Sequence, residues 1–170
     1  MNNSDKSFLK EYHNCHNNRM NNIYMKDAIN LSNNSDGGPF GAIIVKDEHI
    51  IGRGNNKVTV NNDPTAHAEI VAIRDACKNI EKFSLKGATI YTSCEPCPMC
   101  LSAIYWARID KIYYANTRED AANIGFDDKE IYEEINKKIN ERKIKMIKIE
   151  NTDANQTFLN WKNNSEKIDY

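Results

Sequence analysis

The feature that most restricts this chain is a pair of short motifs within residues 63–108. The first is Asp63-Pro64-Thr65-Ala66-His67-Ala68-Glu69 and the second is Cys94-Glu95-Pro96-Cys97-Pro98-Met99-Cys100. His67, Cys97 and Cys100 are borderline or soft donors of the kind Zn²⁺ prefers, and three of them leave one tetrahedral position for water. Glu69 adds a carboxylate where a proton carrier would be needed. Any fold this chain adopts has to bring these two distant segments to one point.

The local signals say how. Asp63 is a good N-cap and Pro64 a good first helical residue, so a helix is predicted from Pro64. On a regular helix two residues at i and i+2 point about 200° apart. His67 and Glu69 can therefore share a site only if it lies off the helix end or the first turn is distorted. Pro96 and Pro98 end a strand and open a second helix, in whose first turn Cys97 and Cys100 share a face. A helix N-terminus also favours the thiolate that binds zinc. Two helix starts are expected to face each other across one ion.

Plainer readings exist. A lone Cys-x-x-Cys is also a redox pair or half of a structural zinc site. The redox pair needs no His-x-Glu. The structural site needs a fourth ligand, which Cys94 could supply. Cys94, however, precedes Pro96 at the predicted end of a strand, and a small buried thiol needs no metal. Both half-motifs in this order favour a catalytic centre.

At 170 residues with a formal charge of −1, the chain is long enough for one well-packed domain and has no global basic field. Nucleic acid and anionic membrane are thus not expected as partners. No apolar run approaches spanning length, and no charged-then-apolar start resembles a signal peptide. The five cysteines, Cys15, Cys77, Cys94, Cys97 and Cys100, are odd in number with three crowded at one motif, which argues against a disulfide framework. A reducing, cytoplasmic setting is the expectation.

Along the chain, residues 1–18 read as a polar, disordered extension in which His13, Cys15 and His16 carry little metal signal, and residues 19–170 as the domain. Met20, Ile23, Tyr24, Ala28 and Leu31 predict a helix over Arg19–Ser32. Ile43-Ile44-Val45 and Ile50-Ile51-Gly52 predict a hairpin that turns at Lys46–His49 and ends near Asn55-Asn56. His49 reads as a solvated turn residue and Cys77 as a small buried one. Strands are predicted over Gly87–Ser93 and Lys111–Ala115, the second zinc-side helix carries Leu101, Ile104, Tyr105 and Arg108, and a helix is predicted through Ile131, Ile135 and Ile139. Ile144, Met146, Ile147 and Ile149, alternating with lysines, predict a fifth strand. Phe158, Leu159 and Trp161 mark a C-terminal helix within Asn155–Glu166. Strands alternating with helices predict an α/β layered sheet.

The chain resembles the cytidine deaminase superfamily, and within it the bacterial-type guanine deaminases. The resemblance rests on Gly37-Gly38-Pro39-Phe40-Gly41-Ala42, residues 62–69, residues 91–108 and residues 120–128, and covers roughly residues 20–170. His67-Ala68-Glu69 and the cysteine pair mark the superfamily. Gly125-Phe126-Asp127-Asp128, residues 103–108 and the terminal aromatic mark the guanine branch. The resemblance implies a three-layer α/β/α cytidine-deaminase-like fold with a mixed five-stranded sheet. It implies Zn²⁺ on His67, Cys97 and Cys100, and Glu69 as the catalytic proton shuttle. For the substrate it implies Asn55 and Asp128 on the base edge, Phe40 stacked on the ring and the backbone of Ala68 near a carbonyl. Tyr170 would enter the site from a C-terminal segment exchanged between the subunits of a homodimer. The loop from Asn55 to His67 reads one residue longer than in the family, which points to Asn55 rather than Asn56.

The implied reaction is hydrolytic deamination of guanine to xanthine and ammonia, with zinc-activated water attacking carbon 2. Asp128 as an acceptor suits the N–H donors of that edge; its plainer role is a helix N-cap or surface charge. The rivals are a tRNA adenosine deaminase, which would need a basic surface for phosphates, a cytosine or cytidine deaminase, and a zinc-stabilised binding module without activity.

Overall fold

A two-residue turn sets the first pair of strands. Asp47 and Glu48 both have positive φ, 49° and 62°, the conformation whose twist suits a tight hairpin. They join β1 (Gly41–Lys46) to β2 (His49–Asn55) as antiparallel neighbours. The computed structural model describes residues 3–169, with side chains from residue 17 onward. On its other edge β1 pairs antiparallel with β3 (Thr89–Cys94), and β3 pairs in parallel with β4 (Lys111–Asn116). The order is β2-β1-β3-β4.

The mixed sheet is as expected, but among the described residues it has four strands, not five. The predicted fifth strand, residues 144–149, belongs to no ladder, and Ile144, Ile147 and Ile149 are exposed. Alternation of isoleucine and lysine specifies the two faces of a strand. It supplies no partner for the backbone N–H and C=O groups, and without one there is no strand.

Helices cover both faces of the sheet. α1 (Asn3–Asn33) sets Tyr24 and Ala28 against Ile43, Val45 and Tyr91. The helix expected over Arg19–Ser32 is the C-terminal half of this longer one. Residues 3–18 lack Gly and Pro, so a helix nucleated by the packed half can propagate through them at little cost. The side chains of His13, Cys15 and His16 lie outside the described residues. On the opposite face, α2 (Val58–Asn61) is followed by α3 (Ala68–Asn79), and α4 (Pro98–Trp106) forms the crossover between β3 and β4. Here Ala42, Ile44 and Ile90 of the sheet meet Ala68, Ala72, Ala76 and Ile104 of the helices. The resulting α/β/α layering is the expected one.

α3 lies unusually close to β2, and the composition explains it. Gly52 and Gly54 face Ala68, Ala72 and Ala76; a Cβ on Gly52 would stand 2.6 Å from the Ala76 Cβ. Small residues on both elements let the helix axis approach until its first turn reaches the edge of β1. After β4, α5 (Arg118–Asn123) begins with a complete capping box between Thr117 and Asp120.

Residues 129–170 form a separate unit. It contains α6 (Lys129–Asn136), a 3₁₀ turn (Ile139–Glu141) and α7 (Ala154–Lys162). Residues 131 and 135 are thus helical as predicted, and α7 falls where the C-terminal helix was expected.

Candidate active site

The geometric difficulty of His67 and Glu69 is resolved by where α3 begins. Asp63 does not cap a helix at Pro64. Its Oδ1 accepts from the backbone N–H (2.8 Å) and the hydroxyl (2.6 Å) of Thr65, but the backbone closes only one turn, Ala66 N–H to the Asp63 carbonyl at 3.0 Å, and His67 N–H then bonds the Thr65 carbonyl at 2.8 Å instead of continuing a helix. α3 starts at Ala68, and His67 is its N-cap in an extended conformation, φ −65° and ψ 157°. His67 therefore leaves the helix end while Glu69 sits inside the first turn, and the 200° conflict disappears. Cys97 repeats the arrangement as the extended N-cap of α4 (φ −63°, ψ 167°), with Pro98 next and Cys100 in the first turn.

These three side chains converge. His67 Nδ1 is 3.5 Å from Cys97 Sγ and 3.5 Å from Cys100 Sγ. Tetrahedral zinc with ordinary Zn–N and Zn–S bonds would separate nitrogen from sulfur by about 3.6 Å. The donor set fits zinc in both chemistry and spacing. Among the described residues it is the one His/Cys/Asp/Glu group close enough to share an ion. Cys94 is not in it; its thiol donates to the Thr117 carbonyl at 3.4 Å, and burial pushes it up to about 11. Among the described residues no fourth His, Cys, Asp or Glu joins the group.

The electrostatics are those of one thiolate sharing a proton with its neighbouring thiol. Cys97 is held down to about 4, first by the Cys100 thiol donating to it and then by His67. Cys100, sharing that proton and buried, is pushed up. His67 is raised, chiefly by its hydrogen bond with the Cys97 sulfur.

Glu69 is 6% exposed, and burial raises its carboxyl above the usual range. The Cys100 thiol reaches the carboxylate, and Thr92 Oγ1 donates to its Oε1 at 3.2 Å. A carboxyl raised by desolvation, beside a metal cage, is equipped to take up and release a proton.

The other expected residues divide. Phe40 is half-buried and meets Phe126 edge to face, ring centres 4.9 Å apart. Ala68 is fully buried between His67 and Glu69, and its N–H, at the first helical position, has no intrahelical acceptor. Asp128 is half-buried and raised, first by desolvation and next by the negative charge of Cys97. Tyr170 lies outside the described residues.

Asn55 stands apart. Its amide donates to the Asn34 carbonyl at 3.2 Å. The next residue, Asn56, is 4% exposed. Its Oδ1 accepts from Val58 N–H at 3.0 Å, and a Cβ placed on Gly38 would meet both its amide (3.6 Å) and the Phe126 ring (3.5 Å). The signal for Asn56 was present in period-2 alternation: Gly52 and Gly54 face the buried side of β2, and the same parity continues to residue 56. Phe126 and Thr92 were also missed as contributors. Phe126 belonged to a singled-out motif, whereas nothing local marked Thr92.

Residues 18–116 match the cytidine and deoxycytidylate deaminase zinc-binding region. The chain is 50% identical over 151 residues to guanine deaminase of Bacillus subtilis, covering 86% of this chain and 97% of that one. The crystal structure of guanine deaminase from the same organism superposes with a TM-score of 0.84, covering 88% of this chain and 98% of that one. A tRNA-specific adenosine deaminase of Haemophilus influenzae is 43% identical over 88 residues, 51% of each chain. The structure of guanine deaminase from Nitrosomonas europaea matches at 29% identity and a TM-score of 0.60 over 62% of this chain and 64% of that one.

Proposed function

The chain belongs to the cytidine and deoxycytidylate deaminase family, and from that premise we propose that it hydrolyses guanine to xanthine and ammonia. The observation that carries the substrate is coverage. Similarity to guanine deaminase takes in 86% of the chain and so cannot omit residues 117–128, which bear Phe126 and Asp128. Similarity to the tRNA-specific enzyme spans 51% of the chain.

The roles follow from donor and acceptor chemistry. Phe40 offers an apolar face to the purine ring, with Phe126 bracing its edge. Asp128 accepts from the N–H groups near carbon 2. Asn56, rather than Asn55, presents its amide to the base edge, because Asn55 is engaged by Asn34. The Ala68 N–H donates to a carbonyl oxygen. A base lacking matching donors would leave these buried groups unpaired and be rejected.

His67, Cys97 and Cys100 hold zinc, which when bound brings the pKa of a coordinated water to about 7. Glu69 takes a proton from the attacking water and delivers it to the ring nitrogen beside carbon 2. It then helps protonate the exocyclic amine, which departs as ammonia.

The protein is a homodimer in this reading, with the C-terminal segment exchanged and Tyr170 closing the partner's site. Two exposed apolar sets support it: Ile144, Ile147 and Phe158 in residues 129–170, and Tyr105 and Trp106 on α4. Thiolate ligands suit the reducing cytoplasm. No helix among the described residues is long and apolar enough to cross a membrane.

The test is ammonia release by the purified zinc form with guanine, adenine, cytosine, their nucleosides and a tRNA anticodon stem-loop. Guanine should be the substrate and xanthine the product. Faster release from the stem-loop would overturn the assignment. Sedimentation at micromolar protein tests the dimer; a monomer excludes the exchange.

A further inference from the structure

Thr92 lies on β3, between β1 and β4. Strand alternation puts it in one row with Ile90, facing α3 and α4 across a layer built from Ala42, Ile44, Ala68, Ala72 and Ile104. It is 1% exposed. Packing in such a row asks for a β-branched apolar residue, and valine has the same shape. A hydroxyl there costs free energy unless it has a partner. Thr92 Oγ1 has one: it donates to Glu69 Oε1 at 3.2 Å. The two residues come from different elements, and the β-branch leaves the hydroxyl few directions to point.

We propose that Thr92 is a positioning residue for Glu69: by donating to Oε1 it fixes the rotation of the carboxylate and leaves the second oxygen to carry the proton. A shuttle must visit three atoms in turn: the water, the ring nitrogen and the departing amine. A carboxylate free to spin would present either oxygen, in either orientation, at each step. The carboxylate also has its own backbone N–H and Cys100 beside it, but Thr92 is the donor that comes from the sheet, and it restricts that freedom without itself touching substrate or serving as a metal ligand. The inference rests on Glu69 as proton carrier, as proposed above.

The experiment compares Thr92→Val, Thr92→Ala and Thr92→Ser in the full chain, zinc-loaded, with metal content measured for each. Val loses the hydroxyl with the shape nearly kept, and Ala loses it together with the γ-methyl. Both should lower kcat about tenfold to a hundredfold, a part of what a positioned acid–base group contributes, with KM within about twofold and one zinc per chain retained. Ser restores the donor and should return kcat to within about threefold of the unaltered protein. The proposal is overturned if Val keeps kcat within about twofold. It is equally overturned if Ser falls as far as Ala, which would assign the residue to packing alone. A zinc-loaded protein that ignores guanine would instead sink the substrate assignment. The same comparison then runs on whichever base of the panel is turned over, with the same two overturning results.

Discussion

Gly54 of β2 lies directly beneath Ala68, the residue between His67 and Glu69: a Cβ on Gly54 would overlap the Ala68 carbonyl oxygen and the Ala72 nitrogen. The sheet thus supports the start of α3 through bare backbone, and the position of both site residues depends on there being no side chain below them. Gly54→Ala must displace that turn. Overpacking of this kind costs about 1–3 kcal/mol. We expect a lower urea midpoint together with a loss of turnover larger than the loss of zinc. An unchanged midpoint would mean the helix can ride outward freely.

Glu69→Gln keeps the shape and the Thr92 contact but cannot accept a proton. Turnover should fall about 10²–10⁴-fold, the usual contribution of a positioned acid–base group. Zinc stoichiometry should stay at that of the unaltered chain. Near-normal ammonia release from the Gln variant would remove Glu69 from the chemistry.

Zinc joins the N-caps of α3 and α4, so it should stabilise the fold as well as act in the reaction. Ligand present at 100 times its dissociation constant adds about 2.7 kcal/mol. Chelation should therefore lower the melting temperature and re-addition restore it. Cys97→Ser should melt near the chelated value and lose its response to zinc, while Cys94→Ser keeps it. Loss of zinc from the Cys94 variant would make that thiol a ligand after all.

Asn55 and Asn56 are adjacent but face opposite ways. Asn56→Ala should cut kcat/KM for guanine at least tenfold, the range of about 1–3 kcal/mol for a buried group left without its partner. Asn55→Ala, which gives up a hydrogen bond to Asn34, should cost little activity. The reverse order, measured by steady-state kinetics, would restore Asn55 to the base edge.

Tyr91 is 4% exposed, donates to Asn21 Oδ1 at 2.6 Å and is pushed up to about 12 by burial and its neighbouring tyrosines. Its folded value exceeds the unfolded one of 10, so the neutral phenol favours the folded state. That stability is complete below pH 10 and is lost as pH rises towards 12. The unfolding free energy from denaturant titrations should fall across this window, by an amount on the order of 1–3 kcal/mol. In Tyr91→Phe the fall should be visibly shallower. An equal fall in both would place the alkaline transition elsewhere.

Much of this was legible from residues alone, for a physical reason. Donor types and their spacing are local properties, so the His67, Cys97 and Cys100 donor set could be read without coordinates. So could the hairpin and the layering, because apolar period follows backbone geometry. Two expected elements failed. The fifth strand failed because alternation at residues 144–149 names faces and not a pairing partner. The helix start at Pro64 failed because the His67 N–H bonds the Thr65 carbonyl rather than the Asp63 carbonyl four residues back, so the capped turn does not propagate. At the end of β2, loop counting points to Asn55 and strand parity to Asn56, and the kinetics above decide between them.

The ligand chemistry, the order of the elements and the family were therefore written in the chain itself. Only the folded arrangement decided that His67 stands off its helix, that Asn56 faces inward, and that Thr92 meets Glu69 across two elements. Donor identity is carried by each residue, but direction is settled by contacts between residues far apart in sequence, and no local pattern encodes those.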